Sequence, residues 1–462
     1  VTTHLPLKKV SSKINKKTIK DKIELIHEFY KKKFNKLPKI AVLGLGVVGS
    51  HVVKLLEKNS YILDDTKCEI VAIGAKNKKK KRIFNISKYK WVGDFKSLIQ
   101  FKPDLIIETI GGTGKYINDL YKFCLKNKIS LITANKAQLA EKSNLFFEGF
   151  DKSNLFLGFE AAVLGAVPVI RTIENSIHPS KVNSIYGIFN GTTNYIISKM
   201  YENKISFKET LEQAIKNGFA EQDSSADLSG KDAMHKLVLL SNISFGKKFK
   251  FSDMHYDGIE NIKLIDLEQG LNLGYKLKLV SLTERYKDKF FSSVAPCFVP
   301  ESSLIAKTNF EENVITLEGE NFLKTSLVGK GAGGYPTATS IISDIKRFIN
   351  YSSIKGIFIK KYSQMLNAKF VNQSQRIRPY YLRMSVLNKV GVLKSIAQLF
   401  SQKSISIKSI IQLNTTNEKV VPIIIISDSV GIKNITQVVN NLKKTNFIKN
   451  EISVIRIEEN IG

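Results

Sequence analysis

The stretch KLPKIAVLGLGVVGSHVVKLLEKN, residues 36–59, decides the fold of the first part of this 462-residue chain. Ile40 to Leu43 has the apolar character of a buried strand, and Ser50 to Glu57 has the pattern of a helix. Three glycines in the order G-x-G-x-x-G join them, which allows a tight turn, close approach of a pyrophosphate and close packing of helix on strand. A plain glycine turn is the alternative. The predicted dinucleotide contacts lie at the start of the helix, where free N–H groups bind phosphate: Gly44, Leu45, Gly46, Val47, Val48 and Gly49.

Further buried strands follow this unit and alternate with helical stretches. The strands are predicted at Glu69–Gly74, Asp104–Thr109 and Ser130–Thr133. Such alternation indicates a parallel sheet with helical crossovers, and ligands bind beyond the carboxyl ends of its strands. We therefore expect Thr109 and Lys136 to lie near the cofactor.

The residues after the second strand favour NADP over NAD. An NAD site usually has an acid at the end of this strand to hold the ribose hydroxyls, and no acid occurs from Ile70 through Gly93. Lys76, Lys78 and Arg82 would attract a 2′-phosphate, with Lys76 as the predicted contact. NADH remains possible, and a solvated lysine loop is the alternative.

The chain is strongly basic, with 71 Lys+Arg against 41 Asp+Glu and a net charge of +30. The excess is nearly all lysine and is spread along the chain without aromatic or Arg-rich motifs. We therefore expect that it reflects compositional drift, and we expect no nucleic-acid partner.

No apolar run approaches the roughly 18 residues of a membrane helix, so no membrane is expected. The three cysteines show no metal or disulfide spacing, which is typical of a reducing, cytoplasmic setting. Residues 1–37 form a basic extension, and organellar import is the less favoured alternative.

The stretch AEQDSSADLSGKDAMHKLVLL, residues 220–240, gathers carboxylates in front of a lysine. Asp232 and Lys236 are four residues apart and would share one helix face. Carboxylates can hold the α-ammonium of an amino acid, and a lysine beside them could protonate an oxygen that gains negative charge. An ordinary salt bridge at a capped helix is the alternative, and this stretch alone leaves both open.

Two more segments complete the organisation. VGKGAGGYPTATSIISDIKRFI, residues 328–349, places a glycine loop before a helix. From about Tyr380 the pattern is strand, helix, strand, strand, helix, strand, which predicts a ferredoxin-like module.

Six motifs in a fixed order give the chain a resemblance to homoserine dehydrogenase over residues 39 to about 355. They are GLGVVG, TANK, FEAAVLGAVPVI, GIFNGTTNYI, GFAEQDSSADLSGKDAMHKL and GKGAGGYPTA. The C-terminal segment resembles an ACT module. The resemblance implies an α/β protein with four parts: the extension 1–37, a Rossmann-type nucleotide-binding domain 38–154 completed by about 331–355, an α+β substrate and dimerisation domain 155–330, and a ferredoxin-like ACT domain 379–462.

The resemblance also implies an activity, the NADPH-dependent reduction of L-aspartate 4-semialdehyde to L-homoserine in threonine, methionine and isoleucine biosynthesis. Lys236 matches the proton donor, with Asp232 and Lys136 beside it. Glu221 and Asp232 match the acids that bind the substrate amino group, and Asp227 a further substrate-side acid. The matching backbone contacts to ligands are Gly218, Gly331 and Gly333.

A monovalent cation site, taken as sodium, is implied at Glu160 and the main chain of Val163, Gly165 and Val167. A buried carboxylate needs a cation or several donors, which would explain Glu160 in an apolar stretch. The chain departs from the family where Ser224 replaces a proline and Ala166 replaces a glycine.

Three alternatives remain at this point. One is an inert ACT regulator that keeps a nucleotide-binding fold, and another is a basic nucleic-acid-binding protein. The third, aspartate-semialdehyde dehydrogenase, needs a thiol nucleophile, and none of Cys68, Cys124 and Cys297 sits at a suitable loop.

The C-terminal module carries an expectation about control. Asn388 stands where ACT modules often have an acid, followed by Gly391. An asparagine lacks the charge that attracts an ammonium, so we expect L-threonine to bind weakly or not at all, with a purely structural dimer contact as the alternative. We expect a homodimer or homotetramer, with the module paired edge to edge with its copy.

Overall fold

The fold is described from a computed structural model. It covers residues 16–17, 19–25, 37–58, 68–177, 181–349, 361–372, 376–413 and 419–461. The predicted basic extension, residues 1–37, lies mostly outside the described residues.

The first region is a six-stranded parallel sheet with the strand order β3-β2-β1-β4-β5-β6. Its central strands β1, β4 and β5 are almost wholly buried and mostly apolar, as expected for a parallel sheet covered on both faces. This order confirms the predicted Rossmann-type sheet. The bounds are β1 Lys39–Leu43, α1 Val47–Lys58, β2 Glu69–Gly74, β3 Trp91–Val92, β4 Leu105–Glu108, α2 Lys115–Lys126, β5 Ser130–Thr133, α3 Lys136–Glu141, α4 Ser143–Lys152 and β6 Leu157–Gly158.

The second region is built on antiparallel strands with helices packed against them. The bounds are α5 Val169–Thr172, β7 Val182–Ile188, α6 Gly191–Asn203, α7 Phe207–Lys216, α8 Ser225–Leu228, α9 Lys231–Phe245, β8 His255–Tyr256, α10 Leu264–Asn272, β9 Tyr275–Tyr286, β10 Lys289–Pro300, α11 Leu304–Lys307, β11 Glu312–Gly319 and β12 Leu323–Lys330. After β12 the chain returns to the first region as α12, Gly334–Ile349, which packs on α1 in the same core.

Helix α9 carries two of the predicted catalytic residues, Asp232 and Lys236, and lies deep in this region. From Asp232 to Phe245 every one of its residues is buried. A helix that is apolar nearly all round belongs in a core, so its few charged residues must be satisfied by one another or by the chain around them.

The C-terminal part contains the predicted ferredoxin-like module. Its bounds are β13 Lys369–Phe370, β14 Ile377–Arg378, β15 Tyr380–Leu387, α13 Val392–Ser401, β16 Ile407–Gln412, β17 Val420–Ser427, β18 Val430–Gly431, α14 Ile432–Lys443 and β19 Ser453–Ile457. The four main strands lie in the order β19-β15-β17-β16, and the two helices pack on one face.

The module's sheet continues the sheet of the second region. Strand β19 pairs in parallel with β10, with Cys297 opposite Arg456 and Phe298 opposite Ile457. The sequence did not predict this contact. One edge of the module's sheet is therefore occupied within the same chain, and pairing with a copy would have to use the β16 edge.

Buried ion pairs reinforce this junction. Arg383 donates from Nε and Nη2 to the two carboxylate oxygens of Asp266 in α10, at 2.6 and 3.1 Å. Arg376 donates to both oxygens of Glu458 and, at 3.2 Å, to Glu284 of β9. We call Asp266, Glu284, Arg376, Arg383 and Glu458 the interdomain ion cluster.

None of the helices in the described ranges is long and apolar enough to cross a membrane.

Candidate active site

The nucleotide loop gives its three glycines different surroundings. Gly44 has a φ of +93°, and a Cβ there would lie 2.6 Å from the carbonyl carbon of Thr109. A Cβ on Gly49 would lie 2.1 Å from the carbonyl oxygen of Gly44. A Cβ on Gly46 would meet nothing within 4 Å. The first and third glycines are thus required by the fold, and the second faces open space where a ligand can approach.

Thr109 ties this loop to the end of β4. Its Oγ1 donates to the carbonyl oxygens of Leu43, at 3.2 Å, and of Gly44. Thr109 therefore lies at the carboxyl end of the sheet, as predicted, with its hydroxyl turned to the loop backbone.

A buried acid shapes the same edge of the sheet. The Glu108 carboxylate accepts from the N–H groups of Ile110 and Gly111, at 2.6 and 2.9 Å. It also accepts from the hydroxyls of Thr133, at 2.6 Å, and Tyr121, at 3.2 Å. The sequence did not predict a role for Glu108, because Thr133 and Tyr121 come from two other elements.

Two lysines from different regions converge on one carboxylate. Lys136, at the start of α3, lies with Nζ 2.9 Å from Asp232 Oδ1. Lys236 Nζ lies 3.1 Å from Asp232 Oδ2 and donates to the carbonyl oxygen of Phe189 at 2.6 Å. Lys236 and Asp232 are 7% and 6% exposed. The predicted site residues therefore meet at the junction between the nucleotide-binding region and the second region.

The pKa values of the two lysines shift in opposite directions. Burial lowers the pKa of Lys236, against the opposing effect of Asp232. The Asp232 carboxylate raises the pKa of Lys136, against the effect of burial. Burial alone would raise the pKa of Asp232, but the two ammonium groups outweigh it and hold that pKa well below its usual range. Of the two lysines, Lys236 is the one that releases a proton more readily.

Asn190 joins the carboxylates together. Its Nδ2 donates to Asp227 Oδ1 at 2.7 Å and to Asp232 Oδ2 at 2.9 Å, while its Oδ1 caps α6 by accepting from Thr193 N at 2.8 Å. Burial and the nearby Asp232 raise the pKa of Asp227. The sequence did not predict Asn190 as a site residue; its place before Gly-Thr-Thr is typical of a helix cap but gives no sign of the contacts to Asp227 and Asp232.

Glu221 and Gly218 lie in the loop between α7 and α8. Glu221 is exposed, makes no hydrogen bond or ion pair within the described ranges, and lies close enough to Lys136 to help raise its pKa. Gly218 has a φ of +76°, which favours glycine. Asp223 instead caps the turn by accepting from Ser225 N and Oγ, at 3.3 and 2.6 Å. We call Lys136, Glu221, Asp227, Asp232 and Lys236 the lysine–carboxylate cluster.

The second glycine loop passes between the two regions. Gly333 has a φ of +118°, and a Cβ on Gly334 would lie 2.4 Å from the ring of His51 in α1. A Cβ on Gly165 would lie 2.5 Å from the carbonyl of Gly331. The loop is therefore packed against the nucleotide-binding helix on one side and against the Gly165 bend on the other.

The lysine-rich loop after β2 is partly organised by its arginine. Arg82 donates to the carbonyl oxygens of Asn77, Lys78 and Lys80 at 2.6–3.1 Å, and its guanidinium carbon lies 5.2 Å from the centre of the Trp91 ring. Lys76 is exposed. The lysine side chains are thus the groups of this loop that face solvent.

Donors from the chain itself surround Glu160. Its carboxylate accepts from the N–H groups of Ile170 and Arg171, at 2.9 and 3.1 Å. Burial, with Asp344 nearby, raises the pKa of Glu160 to about 8. These donors account for the buried carboxylate without a cation. A sodium ion here would therefore have to be held mainly by main-chain oxygens. No group of three His, Cys, Asp or Glu residues suited to a metal occurs in the described part of the chain.

The cysteines do not form a nucleophilic site. Cys124 and Cys297 are buried and Cys68 is half-buried. Burial raises the pKa of Cys68 and of Cys297 to about 11. Neither is an activated thiol, which argues against the thiol-dependent alternative.

Four family models match parts of the chain. A model described as the NAD-binding domain of homoserine dehydrogenase matches residues 44–154, and a homoserine dehydrogenase model matches residues 168–345. A small-subunit-like ACT domain model matches residues 382–448. A model of the pyridoxal phosphate biosynthetic protein PdxA matches residues 1–46, a range that ends just after β1.

Whole-length relatives agree with these matches. The homoserine dehydrogenase of Corynebacterium glutamicum is 31% identical over 428 residues, covering 91% of this chain and 95% of the relative. That of Helicobacter pylori is 30% identical over 433 residues, covering 91% and 98%. This chain belongs to the homoserine dehydrogenase family. The crystal structure of a homoserine dehydrogenase from Thiobacillus denitrificans has a TM-score of 0.84 at 26% identity, covering 92% of this chain and 99% of that one.

Family membership fixes the class of chemistry. The chain is an NAD(P)-dependent oxidoreductase that acts on a CH–OH group, and it has a nicotinamide-binding domain and an ACT-like C-terminal domain. The family places it in the amino-acid biosynthesis that starts from aspartate. The open positions around Gly46 fit the cofactor that this class requires.

Proposed function

We propose that the protein reduces L-aspartate 4-semialdehyde to L-homoserine, with NADPH as the preferred hydride donor and Lys236 as the proton donor. The convergence of Lys236 and Lys136 on Asp232, at the junction of the two regions, supports this proposal. When the nicotinamide is bound, it supplies the hydride; the residues of this chain orient the substrate and hold the proton.

Lys236 has one N–H left for the substrate. An ammonium group has three donors; one points to the carbonyl oxygen of Phe189 and a second to Asp232. The third can protonate the oxygen of the aldehyde as negative charge develops on it. Burial lowers the pKa of Lys236 and makes this donation easier, and a general acid contributes roughly 10²–10⁴-fold to rate.

The remaining charges of the lysine–carboxylate cluster suit an amino-acid substrate. Its three carboxylates exceed its two ammonium groups by one negative charge, which the α-ammonium of the substrate would balance. We propose Glu221, Asp227 and Asp232 as the groups around that ammonium. Gly218 would contact the ligands through its main chain.

We propose NADPH contacts at the nucleotide loop, Thr109, Lys136 and the second glycine loop. The exposed Lys76 would hold the 2′-phosphate. The absence of an acid near the end of β2, together with the exposed lysines that follow it, supports NADP over NAD.

A monovalent cation, taken as sodium, is proposed at Glu160 and the main chain of Val163, Gly165 and Val167. The carbonyl of Gly165 already accepts from Ser340 Oγ at 2.6 Å, and a carbonyl oxygen has a second lone pair for a cation. Thermal unfolding measured in sodium, potassium and tetramethylammonium chloride tests this; identical curves in all three would reject the site.

We propose that the second region, 155–330, binds substrate and forms a homodimer or homotetramer in the cytoplasm.

Threonine inhibition should be tested in the full chain, because removing the C-terminal ACT-like module would expose the edge of β10. Asn388→Asp should strengthen binding of L-threonine if the missing charge is what limits it; no inhibition of either protein would support a purely structural module.

The assay that decides the function follows NADPH oxidation with L-aspartate 4-semialdehyde, and NADP reduction with L-homoserine. Wild-type protein should turn over both. No turnover in either direction would reject the proposed reaction.

A further inference from the structure

A buried asparagine on β11 has no hydrogen-bond partner at either end of its side-chain amide. Asn313 is 0% exposed, and neither its Nδ2 nor its Oδ1 has a partner within the described ranges. Leaving a buried amide unpaired costs free energy, and native proteins keep few such groups. Asn313 was not predicted from the sequence as a site residue.

The amide lies directly against the second glycine loop. A Cβ on Gly331 would lie 2.2 Å from Asn313 Nδ2 and 2.5 Å from its Oδ1. Gly331 is not among the residues with positive φ, so a left-handed backbone is not the reason for glycine at this position. The nearness of Asn313 is therefore the reason for glycine at this position, and it leaves no space for a water molecule between them.

The position of β11 links Asn313 to both halves of the proposed site. On one side β11 pairs with β12, where Asn313 is opposite Gly329. On the other side it pairs with β7, which leads directly to Phe189. The carbonyl of Phe189 holds Lys236, and β12 leads to the glycine loop. Asn313 thus lies between the group that holds the proposed proton donor and the loop that meets the ligands.

We propose that Asn313 is a positioning residue for the reductase reaction, whose amide pairs with the main chain at Gly331 when cofactor and substrate are bound. An amide can donate two and accept two hydrogen bonds, and the loop offers main-chain N–H and C=O groups within a small movement. The pairing fixes the loop against the ligands. Without ligands the Asn313 amide stays unpaired, which lowers the stability of the ligand-free protein. This inference rests on the proposed function, because the loop's ligands are those of that reaction.

Asn313→Leu tests the proposal, because it removes both polar groups at similar size. Thermal unfolding should be unchanged or occur at a higher temperature. The Kd for NADPH, from quenching of its fluorescence, and kcat/KM should each worsen by about 10- to 100-fold, roughly tenfold per lost hydrogen bond. Asn313→Asp keeps the acceptors and should recover part of the loss. Ser281→Ala is the matched control, since Ser281 is another buried residue with an unpartnered Oγ, and its kinetics should stay within about twofold of wild type.

A double-mutant cycle with Gly331→Ala tests the contact itself. The added methyl group should lower kcat/KM, and removing the amide in Asn313→Ala should relieve that crowding, so that the two effects do not add. Additive effects, or Asn313→Leu kinetics within twofold of wild type, would overturn the role of Asn313. A wild-type protein without turnover would instead overturn the proposed function.

Discussion

The lysine–carboxylate cluster and the interdomain ion cluster both contain buried charge, but they differ in how fully that charge is satisfied. In the interdomain cluster Arg383 meets both oxygens of Asp266, and Arg376 meets both oxygens of Glu458. In the lysine–carboxylate cluster Lys236 keeps a free N–H, and Glu221 has no partner within the described ranges. Arginine guanidinium groups that bind both oxygens of a carboxylate hold the second region and the C-terminal module in a fixed arrangement. In the proposed reaction, lysines with spare donors next to excess negative charge would bind and protonate the substrate.

The largest expected effect is the loss of the proton donor. Lys236→Met should lower kcat by at least about 10²-fold, while NADPH binding and the unfolding temperature stay close to wild type. The control is Lys231→Met on the same helix, because the Lys231 side chain is 42% exposed and its Nζ lies 3.6 Å from Glu141. Near-normal turnover in the Lys236 variant would contradict the proposed role of Lys236 as proton donor, and with it the functional difference between the two clusters.

Breaking the interdomain cluster should affect stability instead of chemistry. Asp266→Ala leaves Arg383 buried without its partner, which costs about 3–5 kcal/mol, so the unfolding temperature should fall while KM for the semialdehyde changes little. The control Glu320→Ala breaks an exposed pair with Lys181, at 2.7 Å, and should cost no more than about 1 kcal/mol. Equal unfolding curves for the two variants would show that the cluster does not stabilise the junction.

Removing the unpaired carboxylate should weaken substrate binding. Glu221→Gln should raise KM for L-homoserine by about tenfold, because a charge-assisted hydrogen bond to the ammonium is lost, with kcat less affected. Asp223→Asn is the control, since Asp223 only caps a turn. An unchanged KM for L-homoserine would contradict the proposed binding of the substrate ammonium by Glu221.

Cofactor preference should respond to the lysine loop. Replacing Lys76 and Lys78 by Ala should weaken NADPH binding several-fold more than NADH binding, since only NADPH carries the 2′-phosphate. Lys79→Ala and Lys80→Ala together provide a control with the same loss of charge in the same loop. Equal losses for both cofactors would reject the phosphate contact.

The smallest expected effect is a shift in pH dependence. The protonated form of Lys236 is lost as pH rises through its pKa, which burial holds below the ordinary value of 10.5, so kcat for reduction should fall on the alkaline side. Asp232 raises that pKa; Asp232→Asn should therefore move the alkaline limb to lower pH, even though turnover is also reduced. A limb that stays in place would mean that another group titrates.

The sequence predicted more of the nucleotide loop and the lysine–carboxylate cluster than of the interdomain ion cluster. The glycine pattern at 44–49 and the pairing of Asp232 with Lys236 were predicted because each depends on spacing within one turn and one helix. The interdomain cluster was not predicted. Its members are far apart in the chain, and an isolated Asp266 or Arg383 looks like any surface charge until the packing of β19 on β10 brings them together.

The sequence by itself therefore determined the family, the order of strands and helices, and which carboxylates and lysine share helix α9, because helical period and turn geometry are local. Only the tertiary structure decided that Lys136 meets Asp232, that Asn190 and the carbonyl of Phe189 complete the cluster, and that Asn313 lies beneath Gly331. These contacts depend on strand register and on how two regions pack, and neither leaves a periodic signal along the chain.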